Sequence, residues 1–208
     1  MIDEPFDKQT DSNMIINVLG VGSCIRETSY STRPLNLILE LIKTDGEQIH
    51  ILDLRKRKLP MLYTTATGNE IFEIAELIKK ADAFVLTTPD YHGSMSGSLK
   101  NFLDYFWSEF IGKTFGYIVG SHEKGLTVMD QMRTAVRQCY GWSMPHEISI
   151  SSDEDSNEKR NLTSRKLSSR IEMMVGDLVA YGKLTRQQFV QDLLKDSTVK
   201  RFAAYYKK

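Results

Sequence analysis

Apolar positions along the chain follow two alternating rhythms. From Met14 the run MIINVLGVG is apolar and β-branched and stops at glycine, the pattern of a short strand covered on both faces. The spacing then becomes helical: Leu35, Leu37, Ile38, Leu41 and Ile42 fall mainly on one face, and Gly46 marks a stop. The alternation continues with a strand at 48–54, a helix at 70–82 that turns Ile71, Ile74, Ala75 and Ile78 inward, a strand at 83–88 and a helix at 98–110. A strand at 114–120, a helix at 126–139, a strand at 147–151 and a long helix centred on 165–182 complete five strand–helix pairs. Strict alternation of this kind predicts an α/β chain: parallel strands, right-handed crossovers and a doubly wound sheet with helices on both faces. With five strands, the order 2-1-3-4-5 fits best.

Outside this frame the chain is polar. Residues 1–13 hold no periodic apolar pattern and read as a flexible tail, followed by one domain over 14–185. Residues 186–208 have helical periodicity without a chemical motif and read as a helical extension, while the charged stretch at 151–164 reads as a solvated connection. Hydrophobic residues make up 41% of the 208, enough for a real core. Lysine plus arginine equals aspartate plus glutamate, 27 of each, so no global field draws in nucleic acid or an anionic membrane. Any anion must be bound locally. The opening residues lack the basic and apolar regions of a secretory leader, and no apolar run is long enough to span a bilayer, so the chain is expected in the cytoplasm. Cys24 and Cys139 are too few and too far apart for a zinc site or a disulfide framework.

In an open parallel sheet of this order, ligands sit beyond the carboxyl ends of the first, third and fourth strands. The loop after the first strand, 22–32, offers Gly22 for a close turn, Ser23, Thr28, Ser29 and Ser31 as hydroxyl donors, Arg26 as a charge and the start of a helix. That set suits one terminal phosphate, and the same serines suit capping of the helix. It matches neither GxxxxGK[ST] nor GxGxxG, which disfavours a nucleoside triphosphate or a dinucleotide bound in Rossmann fashion. After the third strand, Pro89, Tyr91, Gly93 and Gly97 provide a rigid turn, an amphipathic ring and close backbone approach, suited to the edge and face of a planar heteroaromatic ring. After the fourth strand, 120–127 supplies two glycines, Ser121, His122 and Lys124. Each of these loops also has a plain reading as a polar turn.

The stretch PDYHGSMSGSLKNFLDYF, residues 89–106, resembles the NADPH-dependent FMN reductase family of flavodoxin-like flavoproteins, which includes azo and quinone reductases. Its Pro-x-Tyr-x-x-Ser…Leu-Lys-Asn…Asp pattern is met by Pro89, Tyr91, Ser94, Leu99, Lys100, Asn101 and Asp104, and the similarity spans roughly 14–150. The family's first-loop pattern is matched by Gly22, Ser23, Arg26 and Ser29, with one extra residue before the arginine. The resemblance implies a flavodoxin-like sheet, FMN as cofactor and NADPH or NADH as reductant. It implies Ser23, Arg26, Ser29, Tyr30 and Ser31 at the FMN phosphate. Pro89, Asp90, Tyr91, His92, Gly93 and Ser94, with Ser121 and His122, would line the isoalloxazine.

The implied reaction is ping-pong hydride transfer to a flavin, quinone, azo or metal-ion acceptor. Flavin N5 carries that chemistry, so no catalytic side chain is required, and His92 and His122 are the candidates for proton donation. The resemblance further implies a homodimer or homotetramer using the helix at 98–110, where Phe102, Tyr105, Phe106 and Trp107 exceed what a core stripe requires; an unusually aromatic core helix is the other reading. A flavodoxin-like electron carrier, or an FMN-binding redox sensor without nicotinamide turnover, is the alternative function. Carriers are usually acidic, which the balanced charge here does not match.

Overall fold

Strand β3 (Ala83–Pro89) is buried at all seven positions, which is why its sequence lacks polar alternation and reads as one apolar run. The computed structural model describes residues 14–25, 32–57, 59–62, 69–151, 164–194 and 201–203, so the expected tail at 1–13 and most of the 151–164 connection lie outside the described residues. On one side of β3 lies β1 (Asn17–Gly22) and beyond it β2 (Gln48–Asp53); on the other lies β4 (Thr114–Gly120). All pairings are parallel, and the order 2-1-3-4-5 is as expected.

The outer edge departs from expectation. The fifth strand is two short pieces, β5 (Trp142–Ser143) beside Thr114 and Phe115, and β6 (Ile148–Ile150) beside Ile118 to Gly120, giving six strands among the described residues. Pro145 lies between them and has no N–H to give to the ladder, so the pairing stops and resumes further along β4. A two-residue strand carries no alternation and leaves no pattern to read.

Helices cover both faces. Phe84 and Leu86 of β3 join α2 (Asn69–Lys80), α3 (Gly97–Tyr105) and α4 (Leu126–Gln138) in one core. Ala83 and Val85, pointing the other way, join α1 (Thr32–Thr44) and α5 (Arg165–Leu194) in the second. On α1 the buried residues are Leu35, Ile38, Leu39 and Ile42; Leu37 is exposed, contrary to the reading of its face. The buried four are spaced i, i+3, i+4, i+7, a face that leaves Leu37 to solvent and packs closely on β1, where a Cβ at Gly20 would lie only 2.5 Å from Leu39 Cδ1.

The aromatic helix belongs mostly to the interior. Helix α3 ends at Tyr105 rather than at 110, and a 3₁₀ turn (Ser108–Phe110) brings Phe110 back to the core. Phe102, Phe106 and Phe110 are buried around a stacked pair, Phe84 and Phe115, cross-strand neighbours 4.6 Å apart between ring centroids. Trp107 alone of the four named aromatics is largely exposed.

Helix α5 is longer than its apolar centre predicts, 30 residues, and it runs through the expected boundary at 185/186, so the start of the extension is the same helix. Two ion pairs hold its second half to the amino-terminal edge of the sheet. Lys183 Nζ lies 2.5 Å from the carboxylate of Glu47, which also accepts the Ile16 N–H; Arg186 Nε lies 2.9 Å from Asp82, which also accepts the Asn17 N–H. Both carboxylates are buried. No helix among the described residues is long and apolar enough to cross a membrane.

Candidate functional site

The carboxyl ends of β1, β3 and β4 emerge side by side: Gly22 pairs with Thr87, and Pro89 pairs with Gly120. The three loops singled out from sequence therefore meet at one edge. Of the first loop, Ser23 is described, whereas Arg26, Ser29, Tyr30 and Ser31 lie outside the described residues.

Ser23 is buried and serves as a clasp. Its hydroxyl donates to Thr87 O at 2.7 Å and accepts from Ser96 Oγ at 2.9 Å, while its carbonyl accepts from Ser98 Oγ. Ser96 is also the N-cap of α3, its oxygen accepting the Leu99 N–H, and its own N–H is taken by Thr88 Oγ1. The small polar residues at 94–98 thus tie the first loop, β3 and α3 together. Thr88, Ser96 and Ser98 were not singled out, although Ser96 three residues before Leu99 is a legible capping position.

Residues Tyr91 to Ser94 form a tight hairpin turn: Tyr91 and Ser94 exchange both backbone bonds, with His92 at φ 57° and Gly93 at φ 76°. Positive φ at both central positions is the type I′ arrangement, easy for glycine and uncommon for histidine. It leaves His92 and Gly93 exposed at the rim. Asp90 locks the turn. One carboxylate oxygen accepts the Gly93 N–H at 2.8 Å and the other accepts Ser121 Oγ at 2.8 Å, joining the β3 loop to the β4 loop. Ser121 Oγ in turn accepts the Glu123 N–H. Pro89 is buried at the strand end, Tyr91 half-buried, and His122 and Lys124 exposed.

Gln131, on α4, was missed. Its amide oxygen accepts from Ser94 Oγ and the Met95 N–H, and its nitrogen donates to Gly93 O. A glutamine inside a helical stripe has no local signal; only the fold brings it against the turn. The second half of the 89–106 motif proves structural. Leu99 is in the core, Lys100 and Asp104 pair with each other one turn apart, and Asn101 holds the segment after β2 through Leu62 N and Pro60 O.

The described residues leave room for a flat ring against the turn, whose Tyr91, Gly93 and Ser94 N–H groups are already donated within the fold. Nothing lies within 4 Å of where a Cβ would stand at Gly93 or Gly97, so the turn presents bare backbone. The Asp90 bridge ties the β3 loop to the β4 loop. Among the described residues no group of three or more His, Cys, Asp or Glu is arranged to hold a metal ion.

Comparison with known proteins places the chain in a family. Over residues 16–155 the chain matches the family described as NADPH-dependent FMN reductase. It is 32% identical over 104 residues to an NADPH azoreductase of Bacillus sp. (strain OY1-2), covering 47% of the chain and a little over half, 58%, of that protein. It is 29% identical over 179 residues to the FMN-dependent NADPH-azoreductase of Staphylococcus aureus (strain USA300), covering 77% of the chain and 92% of that protein. Among solved structures, RosB with a bound 8-demethyl-8-formylriboflavin 5′-phosphate intermediate superposes with a TM-score of 0.72 at 13% identity, over 89% of this chain and 90% of that one, a likeness of fold. With the family match spanning most of the sheet and all three crevice loops, the chain belongs to the NADPH-dependent FMN reductase family.

Proposed function

We propose that the protein is an FMN-dependent NAD(P)H oxidoreductase that reduces a small flavin, quinone, azo or metal-ion acceptor. The observation that carries this reading is the Asp90 bridge, which joins the β3 and β4 loops around an exposed type I′ turn of bare backbone at His92 and Gly93. Ser23, with Arg26, Ser29, Tyr30 and Ser31, would hold the FMN phosphate; Pro89, Asp90, Tyr91, His92, Gly93, Ser94, Ser121 and His122 would hold the ring. Held by these residues, FMN would supply the hydride chemistry between nicotinamide and acceptor, in ping-pong order.

The chain's own contribution is placement. Asp90 spends its charge on the Gly93 N–H and the Ser121 hydroxyl, which sets the turn and keeps the loops at a fixed separation. Gln131 braces the turn from behind through three hydrogen bonds. Preset loops cost little reorganisation when charge develops on a ligand. His92 and His122, exposed at the rim, are the candidates for exchanging a proton with an acceptor. A homodimer or homotetramer is part of this proposal. Its support is the groove between α3 and α4, floored by Met95, Leu103 and Ala135, with exposed Trp107 near its end packing against Tyr140.

FMN-loaded protein mixed anaerobically with NADPH, and separately with NADH, is expected to lose the visible flavin absorbance rapidly in stopped flow. A flavin that stays oxidised with both reductants would instead assign an electron carrier or sensor.

A further inference from the structure

The two lateral strands of the sheet are built differently. On one side Pro145 breaks the outer strand into β5 and β6, pieces of two and three residues, so little open ladder is left. On the other side β2 runs unbroken for six residues, in continuous register with β1 and without a lysine, proline or bulge. Those are the features that keep an open strand from pairing with another chain. The β2 ladder can be followed bond by bond. The Gln48 N–H goes to Ile16 O and the Leu54 N–H to Gly22 O, so the even-numbered residues face β1, and Ile49, Ile51 and Asp53 turn their backbone groups outward.

The Asp53 carbonyl is spent on the Lys56 and Arg57 N–H groups, which closes the strand's end. Among the described residues nothing hydrogen-bonds the outward N–H and C=O of Ile49 and Ile51. Both side chains lie on the face that α1 covers. There Ile49 packs on the core, whereas Ile51 is 54% exposed and Leu37 of α1 is exposed as well. An apolar side chain beside unpaired backbone is the combination that an added strand covers. Charge also differs from end to end. Glu47 is taken by Lys183 and Arg55 by Asp53; exposed Asp45 precedes the strand, beside Lys43 in the last turn of α1, and exposed Lys56 follows it.

We propose that a second copy of this chain pairs at β2, strand against strand in the antiparallel sense about a two-fold axis, so that two sheets become one. Only residues whose groups point outward can exchange bonds, and the Asp53 carbonyl is already used. The register therefore opposes Ile49 of one copy to Ile51 of the other and sets His50 at the axis. Every open group of both isoleucines then finds a partner, and exposed Ile51 is covered by Ile49 of the second copy. The same antiparallel sense brings Lys56 to the Asp45 end of the second copy, twice by symmetry. This contact is separate from the groove between α3 and α4 and does not depend on the flavin reading; together with that groove it would supply the two interfaces of a homotetramer.

Sedimentation equilibrium of the full chain is the test. At micromolar concentration a mass of two or four times the 23.8 kDa of the chain is expected. Ile51→Lys, at an exposed position where a lysine blunts the open strand, is expected to halve that mass. Lys56→Glu and Asp45→Lys, both at exposed positions, are each expected to raise the dissociation constant about tenfold, and the two together to restore it. Hydrogen exchange gives a second reading. The Ile49 and Ile51 amides are expected to gain protection as the concentration of unmodified protein rises, and to exchange fast at every concentration in Ile51→Lys. A single-chain mass throughout, an unchanged mass in Ile51→Lys or no restoration in the double variant would overturn the proposal. So would protection that is independent of concentration, which marks an occupant from the same chain.

Discussion

At the residue scale, Asp90 is the side chain on which the site depends most. It accepts two hydrogen bonds from two different loops, and each bond to a charged acceptor is worth about 1.5 to 3 kcal/mol. Asp90→Ala is therefore expected to release the turn and weaken FMN binding about tenfold or more, read by fluorescence titration. Asp90→Asn keeps one acceptor for Gly93 and offers its amide to Ser121, and is expected to lose much less. Equal affinities for the two variants would show that the bridge does not set the ring loops. In sequence, Asp90 is one acidic residue among 27 acidic side chains, distinguished only by its place after a buried strand and beside a proline. Ser23 teaches the reverse lesson. It reads as a phosphate donor, yet in the folded chain its hydroxyl proton is directed at Thr87 O, and what it adds first is the tie between β1 and α3. Hydroxyl-rich loops look alike in sequence whether the hydroxyls face a ligand or one another.

At the element scale, the amphipathic stripes made α2 and α4 legible to within a few residues, because each buries one face against the sheet. Ends set by tertiary contact were not legible: α3 stops at Tyr105 so that Phe106 and Phe110 can enter the aromatic core, and α5 continues past its apolar stripe because ion pairs hold its polar second half. Lys113 shows what such contacts do to a charge. Its ammonium donates to the Ile78 and Lys79 carbonyls at the end of α2 and lies over Phe84, and burial pulls its pKa down from 10.5 to about 7, against the opposing pull of Asp82. Between those two values the unfolded chain binds the proton and the folded one releases it, so this group makes stability rise with pH across that window, with no contribution to the slope below it. Denaturant unfolding from neutral to alkaline pH is expected to show the rise in the native protein and a flatter profile in Lys113→Met. Parallel profiles would place the slope elsewhere.

At the scale of the whole molecule, the two edges of the sheet do different work. The carboxyl edge carries the loops at 22–25, 89–97 and 120–125; the amino edge carries Glu47 and Asp82 with their partners on α5. Glu47→Ala removes the acceptor of the Ile16 N–H together with the partner of Lys183, and is expected to cost about 2 kcal/mol of stability in urea unfolding, without lowering FMN affinity at temperatures where the protein stays folded. A fall in FMN affinity under those conditions would show that the two edges are coupled. The strand order was legible because alternation and length leave few topologies open, whereas the cavity of about 720 Å³ beyond the β4 loop was not. It is built by residues 122–124, 147–151 and 166–170, which share no motif and meet only because β6 and α5 close over the end of β4.

Helix α5 links these two edges, and its role can be put in mechanical terms. Its first turns lie beside β6, where Arg170 donates to the Glu147 carbonyl, and its second half is fastened by Lys183 and Arg186 to strand ends at the opposite edge of the sheet. At 1.5 Å per residue, the seventeen steps from Lys166 to Lys183 make a rod of about 25 Å. Between those ends the rod lies on the sheet through the buried Leu167, Ile171, Met174 and Leu178. It therefore works as a splint, pinned at one edge by ion pairs and bedded along its length in the core, so that the two edges of the sheet keep a fixed distance.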